Sequence, residues 1–362
     1  MSYSIDSAGY KFVVDNSAIL QLGAYLEANF SGVNIVILVD DNTRRHCLPI
    51  LISKVPSLAN VSFVVMPAGE ENKTMAVLEI LASQLLEIGA DRSTVLVNLG
   101  GGVVGDMGGL LASLFMRGIS YIQVPTSLMA MVDASVGGKT GVNLLHHKNM
   151  LGVFSSPAAI FIDPVFLVTL PKEELRSGFA EVIKHSCIAN VPAFSELPDA
   201  AALDATEWLP LIIASVSFKY DIVSADFTDR HQRKILNFGH TVGHALESYS
   251  LEHGNRRLLH GEAIALGLQV ELLLSAHYTE LPMAVVRQWV RYIRSHFPEL
   301  TVQVNPDSFL RYLQADKKNK RRQISCVLLG KEGEPVIDFP VEEERVLAAL
   351  NSLATSFSET TV

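Results

Sequence analysis

The sequence predicts two domains: an α/β domain with a mainly parallel sheet over about residues 1–170, then a mainly α-helical domain over 171–362. Three observations predict this. Short apolar runs alternate with helix-period segments through the first half, the pattern of βαβ units. Glycines cluster directly after one such run, at Gly100-Gly101-Gly102. Beyond residues 160–163 nearly every segment has helical periodicity. With 362 residues, 49% of them hydrophobic, and a mean hydropathy of +0.28, the chain is long enough to bury two cores.

The elements follow in order. Residues 11–14 and 34–39 read as strands, the second leading into Asp40-Asp41-Asn42. Residues 62–66 form another strand, followed by Pro67-Ala68-Gly69-Glu70-Glu71-Asn72-Lys73. Over 74–88, Met75, Leu78, Leu81, Leu85 and Ile88 recur at the spacing of one helix face. A strand over 95–99, the glycine turn, a helix near 105–116 and a strand over 121–124 complete the alternation. In open parallel sheets ligands bind beyond the carboxyl ends of the strands. Asp40, Glu70 and the three glycines all fall at or just past such ends. Residues 171–292 are predicted helical, punctuated by Pro192, Pro198 and Pro210. A helix over 305–315, a strand over 323–329, a terminal helix over 342–353 and a frayed tail close the chain.

Composition excludes several classes. A net charge of −9 argues against a non-specific nucleic-acid binder, which needs a broad basic field. Cys47, Cys187 and Cys326 are too few and too dispersed for a disulfide framework or a thiolate metal site, and a reducing cytoplasm suits them. The N-terminus has no basic segment followed by an apolar core. Residues 95–116 carry six glycines and Asp106, and residues 263–278 carry Gln269 and Glu271, so neither reads as a lipid-facing helix. A soluble protein is expected.

The chemistry concentrates in three places. Gly100, Gly102 and Gly105 match G-x-G-x-x-G at the end of a strand, where backbone N–H groups and a helix N-terminus can cradle a pyrophosphate. Close helix–sheet packing is the competing reading of the same glycines. The usual fingerprint opens the first βαβ unit and has an acid about 20 residues on. Here earlier strands precede it, position 120 is Ser, and the acids lie upstream at Asp40 and Glu70, so the expectation is a Rossmann-like variant. In the helical half, Glu181, His240, His244 and His260 are candidates for a metal. His240 and His244 share a helix face, but Thr241 stands where a metalloprotease needs Glu, which leaves Glu plus two His as a three-ligand set. Taken singly, each His is as readily a packed or surface residue. Finally, Lys139, Lys148 and Asn149 lie among glycines, and Lys184, Lys219, Arg233 and Asn237 follow, a set suited to a phosphate or carboxylate. The basic run 317–322 reads most simply as a solvated loop, although one of its lysines could close over an anion.

The segments LGGGVVGDMGG, RGISYIQVPTSLMAMVDASVGGKTGVN, HKNMLG, SGFAEVIKH, RKILNFGHTVGHALE and LHGEA, in this order, closely resemble the 3-dehydroquinate synthase family within the sugar-phosphate cyclases. The resemblance spans about residues 35–330. It implies a nucleotide-binding domain, a helical metal-binding domain, and an active site in the cleft between them. It further implies NAD+ and Zn2+ as cofactors, with Co2+ as a substitute metal, and a homodimer. The substrate would be 3-deoxy-D-arabino-heptulosonate 7-phosphate, converted to 3-dehydroquinate and phosphate with no net redox change.

Residue by residue, the resemblance makes Glu181, His240 and His260 the metal ligands. Lys139, Asn149, Asn237, His244 and one of Lys317 and Lys318 match the phosphate side, with Arg117 reaching the phosphate of the neighbouring subunit. Asp133, Lys184, Lys219 and Arg233 match contacts to substrate hydroxyls and carboxylate, and Lys148 completes the KN pair. Asp40, Asn42, Glu70, Lys73, Gly101, Gly102, Val103, Asp106, Thr126, Ser127, Phe166 and Thr169 match the cofactor side, joined by Lys139 and Lys148. Ser127 replaces a more usual Thr and keeps the hydroxyl. The segment between His244 and His260 is longer than the pattern and adds His253 as a rival ligand. The alternatives are another sugar-phosphate cyclase, a metal-dependent polyol dehydrogenase, and a non-catalytic nucleotide-binding module.

Overall fold

The computed structural model describes residues 2–7, 10–145, 147–253, 256–300, 303–314, 323–331 and 334–355. By contacts the chain forms two compact units, Met1–Leu175 with Glu207–Thr228, and Arg176–Thr206 with Asp229–Val362. This differs from a single division near residue 170, because one long helix from the second half packs with the first unit.

The first unit is built on a seven-stranded sheet. Its elements are β1 (Tyr3–Ser7), β2 (Tyr10–Val14), α1 (Ala18–Asn29), β3 (Ile35–Asp40), α2 (Asp41–His46), α3 (Leu48–Lys54), β4 (Ser62–Met66), α4 (Met75–Glu87), β5 (Val95–Gly100), α5 (Gly102–Leu114), β6 (Ser120–Pro125), β7 (Lys139–Leu144), β8 (His147–Phe154) and β9 (Ala159–Ile162). The sheet order is β1-β2-β9-β6-β5-β3-β4. Only β1 and β2 pair antiparallel; the other pairings are parallel. Every residue of the central β5 is buried, which is why its sequence is a continuous apolar run with no alternation. Leu78, Leu81 and Leu85 of α4 pack into the core with Val36, Leu38 and Leu96.

Two features of this unit depart from the sequence expectation. Helix α5 begins at Gly102, three residues before the expected start, because its low-propensity glycines are compensated by packing. Cβ atoms at Gly108 and Gly109 would lie 2.1 Å from Asn98 Oδ1 and 2.4 Å from Thr140 Cγ2. Lys139–Leu144 and His147–Phe154, a stretch to which the sequence reading assigns no element, form the separate antiparallel ribbon β7–β8. Gly152 permits it, since a Cβ there would meet Thr140 O at 2.0 Å.

Helix α6 (Lys172–Ala189) runs from the first unit into the second, and α7 (Trp208–Ala225) returns to the first, where Tyr220 stacks on Phe12 at 6.0 Å. Among the described residues α7 alone is long and apolar enough by composition to cross a membrane, and half of it is buried inside the protein. The second unit continues with α8 (His240–His253), α9 (His260–Tyr278), α10 (Met283–His296), α11 (Pro306–Gln314), the antiparallel ribbon β10 (Ile324–Lys331) and β11 (Glu334–Val341), and α12 (Glu343–Thr355). Helix α9 is buried along most of its length, with Leu266, Val270 and Leu274 in a core shared with α8, α11 and β10.

His296 ties α10 to the Pro198 carbonyl. Its Nδ1 lies 3.0 Å from Tyr292 O and its Nε2 3.1 Å from Pro198 O. A neutral ring has one N–H for these two acceptors. Burial nevertheless lowers the imidazole pKa by more than the two carbonyls raise it. The unfolded chain therefore takes up this proton below about pH 6.5 while the native state resists it. The contribution of His296 is complete above that pH and is lost as pH falls towards the lower native value. His296→Phe, which fits beside Phe179, is expected to shrink the loss of Tm between about pH 7.5 and about pH 5.5. Thermal melts at the two pH values check it; an unchanged loss overturns it.

Candidate functional site

In the first unit the expected cofactor-side residues gather at the carboxyl ends of the strands. Asp40 ends β3 and caps α2: its Oδ1 accepts from Thr43 N at 2.7 Å, and its own N–H donates to Thr43 Oγ1 at 2.9 Å. Asn42 follows on the exposed surface of α2. Gly101 is the N-cap of α5 and has no side chain to satisfy the first-turn N–H groups, an arrangement open to an anion. Cβ atoms at Gly101 and Gly102 would make contacts of 3.3 Å, to Ser127 Oγ and Ala134 Cβ. The two readings of the glycine run thus divide along its length. Gly108 and Gly109, with Gly105 against Gln123 at 3.2 Å, serve helix–sheet packing, whereas Gly101 and Gly102, followed by the half-buried Val103, lead from β5 into α5. Burial pushes the pKa of the Cys47 thiol up to about 11, and the Thr169 and Thr126 hydroxyls oppose that rise. Phe166 is fully buried beneath them in sequence, its carbonyl accepting from Thr169 Oγ1 at 3.2 Å.

A polar network joins Glu70, Lys73, Asp106, Lys148 and Asn149. The buried Lys73 ammonium donates to Asp106 Oδ2 at 2.6 Å and to Asn149 Oδ1 at 2.5 Å. Burial raises the Asp106 carboxyl pKa above its ordinary value, and Lys73 opposes that rise. Lys148 Nζ is 3.6 Å from Glu70 Oε1. Asn143, which the sequence reading passed over, donates from Nδ2 to the same oxygen at 2.9 Å. Its only signal in the sequence is its place in GVN, six residues before Asn149. On α7, the buried Lys219 reaches Asp133 Oδ1 at 2.6 Å. Lys139 stands exposed at the start of β7. Arg117 is exposed in a turn where Met116, Arg117 and Gly118 have φ of 48°, 71° and 121°.

In the second unit three helices converge on one carboxylate. Glu181 of α6 is completely buried. Its Oε2 pairs with the equally buried Lys184 ammonium. Its Oε1 makes no hydrogen bond among the described residues and faces His240 Nε2 at 3.6 Å and His260 Nε2 at 3.8 Å. The far nitrogens are both held. His240 Nδ1 is 3.1 Å from Phe238 O, and His260 Nδ1 is 3.3 Å from Glu247 Oε2. Such outer partners fix the tautomer and aim Nε2 at a metal. A buried carboxylate oxygen and two imidazoles too far apart for hydrogen bonds fit a divalent cation of the zinc type. His244 adjoins them: ligand atoms of His240, His244 and His260 lie within 4.8 Å of one another, so a three-histidine set is the competing choice. His253 stands apart, exposed beside Glu252 and Tyr249. The buried Arg233 and half-buried Asn237 occupy the 3-10 turn before α8. Lys317 and Lys318 lie outside the described residues.

Close helix contacts set this geometry. A Cβ at Gly261 would lie 1.8 Å from Ser177 O, and one at Gly267 would lie 1.9 Å from Gly239 O. Gly239 N donates to the buried Glu271 Oε2 at 2.7 Å and Val242 N to its Oε1 at 3.4 Å, so a carboxylate from α9 caps the N-terminus of α8. Glu247 carries no distinguishing signal in the sequence, and Glu271 only that of a carboxylate within the largely apolar run 263–274.

Solved structures share the whole architecture. The 2-epi-5-epi-valiolone synthase of Streptomyces hygroscopicus subsp. jinggangensis 5008, with NAD+ and Zn2+ bound, superposes with a TM-score of 0.83 at 26% identity, covering 97% of this chain and 98% of that one. A 2-deoxy-scyllo-inosose synthase complexed with carbaglucose-6-phosphate, NAD+ and Co2+ gives 0.86 at 24% identity, over 97% and 99%. The fold is therefore that of these two NAD+- and metal-bound synthases, a mostly parallel α/β domain and a helical one. The sequence narrows the class. Residues 63–177 match the 3-dehydroquinate synthase N-terminal model and residues 178–319 the C-terminal one. The 3-dehydroquinate synthase of Parabacteroides distasonis is 40% identical over 326 residues, 89% of this chain and 92% of that one. The chain belongs to the 3-dehydroquinate synthase family.

Proposed function

We propose that this chain converts 3-deoxy-D-arabino-heptulosonate 7-phosphate to 3-dehydroquinate and phosphate, as a lyase of the shikimate pathway acting in the cytoplasm. The observation that carries the reading is the Glu181 carboxylate facing two imidazoles whose outer nitrogens are already held, in a chain of this family. Glu181, His240 and His260 would hold the metal. When bound, NAD+ supplies a transient oxidation at C5 and its reversal, and the divalent metal polarises the adjoining hydroxyl oxygens.

The chain's own groups do the rest. Asp40 and Glu70 accept hydrogen bonds from ribose hydroxyls, and the Gly101–Gly102 turn donates N–H groups to the pyrophosphate. Lys184, Lys219 and Arg233 bind the carboxylate and hydroxyls of the substrate, with Asp133 keeping the Lys219 ammonium in place. Lys139, Asn149, Asn237, His244 and Lys317 or Lys318 hold the phosphate through charge-assisted hydrogen bonds. Ketone character at C5 would acidify the C6 proton, and the departing phosphate would accept it as the C7–O bond breaks. Ring opening and an intramolecular aldol step then close the carbocycle.

A homodimer completes the reading. Arg117 projects from a strained exposed turn, as a residue serving another subunit's phosphate would. Met150, Leu151, Val153 and Phe154 of β8 are exposed, and apolar surface of this kind is what subunits bury.

The test is incubation with the heptulosonate phosphate, NAD+ and Zn2+. Phosphate release without accumulating NADH, and a dehydroquinate product, are expected. Steady NADH production would mean a polyol dehydrogenase, and a different carbocycle another cyclase.

A further inference from the structure

In the function proposed above, Glu70 serves the ribose side of the cofactor, while Asn149 serves the phosphate side of the substrate. One side chain touches both. Asn143 Nδ2 donates to Glu70 Oε1 at 2.9 Å, and Asn143 Oδ1 accepts the Asn149 backbone N–H at 2.9 Å. Asn143 N itself donates to Lys73 O at 2.8 Å. Lys73 Nζ closes the ring on the Asn149 side chain at 2.5 Å. Asn143, Lys73 and Asn149, from three separate stretches of chain, thus form one closed circuit, and Glu70 joins it through the Asn143 amide.

Two details show that this circuit controls position. Asn149 has φ of 53°, a left-handed conformation that costs free energy unless its surroundings hold it. The β7–β8 pairing shifts register between Val142 and Leu144, at Asn143, so the ribbon is irregular where the amide pins it. Glu70 Oε1 is also the oxygen 3.6 Å from Lys148 Nζ. A ribose hydroxyl donating to Glu70 would compete there with the Lys148 ammonium and turn it towards an anion. The Asn143 amide, donating at one end and accepting at the other, keeps Asn149 in register with that change.

We propose that Asn143 is a positioning residue that couples the two ligands, so that the dinucleotide and the phosphate group tighten each other's binding. The coupling runs through one hydrogen-bonded circuit and must be reciprocal. It rests on the cofactor and substrate reading above.

The test is calorimetric titration of the zinc-loaded full chain with NAD+, without and with saturating inorganic phosphate. In the wild type, phosphate is expected to lower the NAD+ Kd by about fivefold or more. In Asn143→Ala that ratio is expected to fall to about one. Asn143→Asp, which turns the donor towards Glu70 into a second carboxylate, is expected to abolish it too and to weaken NAD+ alone. Asn143→Ser serves where the alanine variant does not fold. A generally damaged protein would lose affinity with the ratio unchanged, which overturns the proposal, as does a wild type that binds both ligands with a ratio of one. A wild type that binds no NAD+ overturns the functional reading as well.

Discussion

The His260→Ala variant is expected to purify without stoichiometric zinc and to lose turnover by about a thousandfold or more, since even an outer partner of a metal ligand is worth 10–100-fold. The argument rests on where the ring points. His260 opens α9, its Nδ1 is 3.3 Å from Glu247, and its Nε2 faces Glu181 Oε1. Glu247→Gln keeps an oxygen but loses the charge behind the imidazole, and should weaken zinc binding by about 10–100-fold without removing the site. His253→Ala should leave zinc content at the wild-type level, because that ring is exposed and packs tilted against Tyr249, with ring centroids 4.9 Å apart. Metal analysis of the purified variants and chelator competition measure all three. Zinc that survives His260→Ala but falls in His253→Ala would reverse the assignment. The choice between Glu181 and His244 is separate: Glu181→Gln should lose the metal, and His244→Ala should keep it while losing activity.

The legible part of the fold was the part written in runs and periods. The strand over 62–66 and the helix over 75–87 follow from apolar order alone, because a parallel strand and an amphipathic helix carry their environment in their own sequence. The β7–β8 ribbon was hidden. Strand β8 is exposed almost throughout and carries no buried face to read, and Gly141 and Gly152, needed for backbone approach, interrupt the apolar order. The return of α7 to the first unit was hidden too, since an apolar helix does not say which core receives it. In the site, motif-borne residues such as Glu181 and His240 could be named in advance. Asn143, Glu247 and Glu271 could not, because their roles depend on partners 6 to 73 residues away that only folding brings near.

Gly267 shows how far site geometry depends on a residue that binds nothing. Alanine normally stabilises a helix interior over glycine by about 0.5–1 kcal/mol, so propensity alone predicts a gain at Gly267 in α9. Packing reverses the sign. The added Cβ would lie 1.9 Å from Gly239 O and 2.8 Å from Gly243 N, and these are backbone atoms that no rotamer change can move aside. Helices α8 and α9 must separate, stretching the Gly239–Glu271 hydrogen bond and moving His240 relative to His260. Gly267→Ala is therefore expected to cost about 3 kcal/mol or more, at the upper end for overpacking. It should also weaken zinc binding although every ligand is intact. Gly243→Ala is the graded comparison. Its Cβ would meet Ile264 Cδ1 at 2.9 Å and Ala263 O at 3.0 Å, so a smaller loss of both stability and zinc is expected. Gly105→Ala in α5 meets the Gln123 amide at 3.2 Å and should leave zinc affinity alone. Thermal melts with zinc titration of the three variants decide it. A Gly267→Ala protein with wild-type Tm and zinc affinity would show that the close α8–α9 crossing does not hold the two histidines in place.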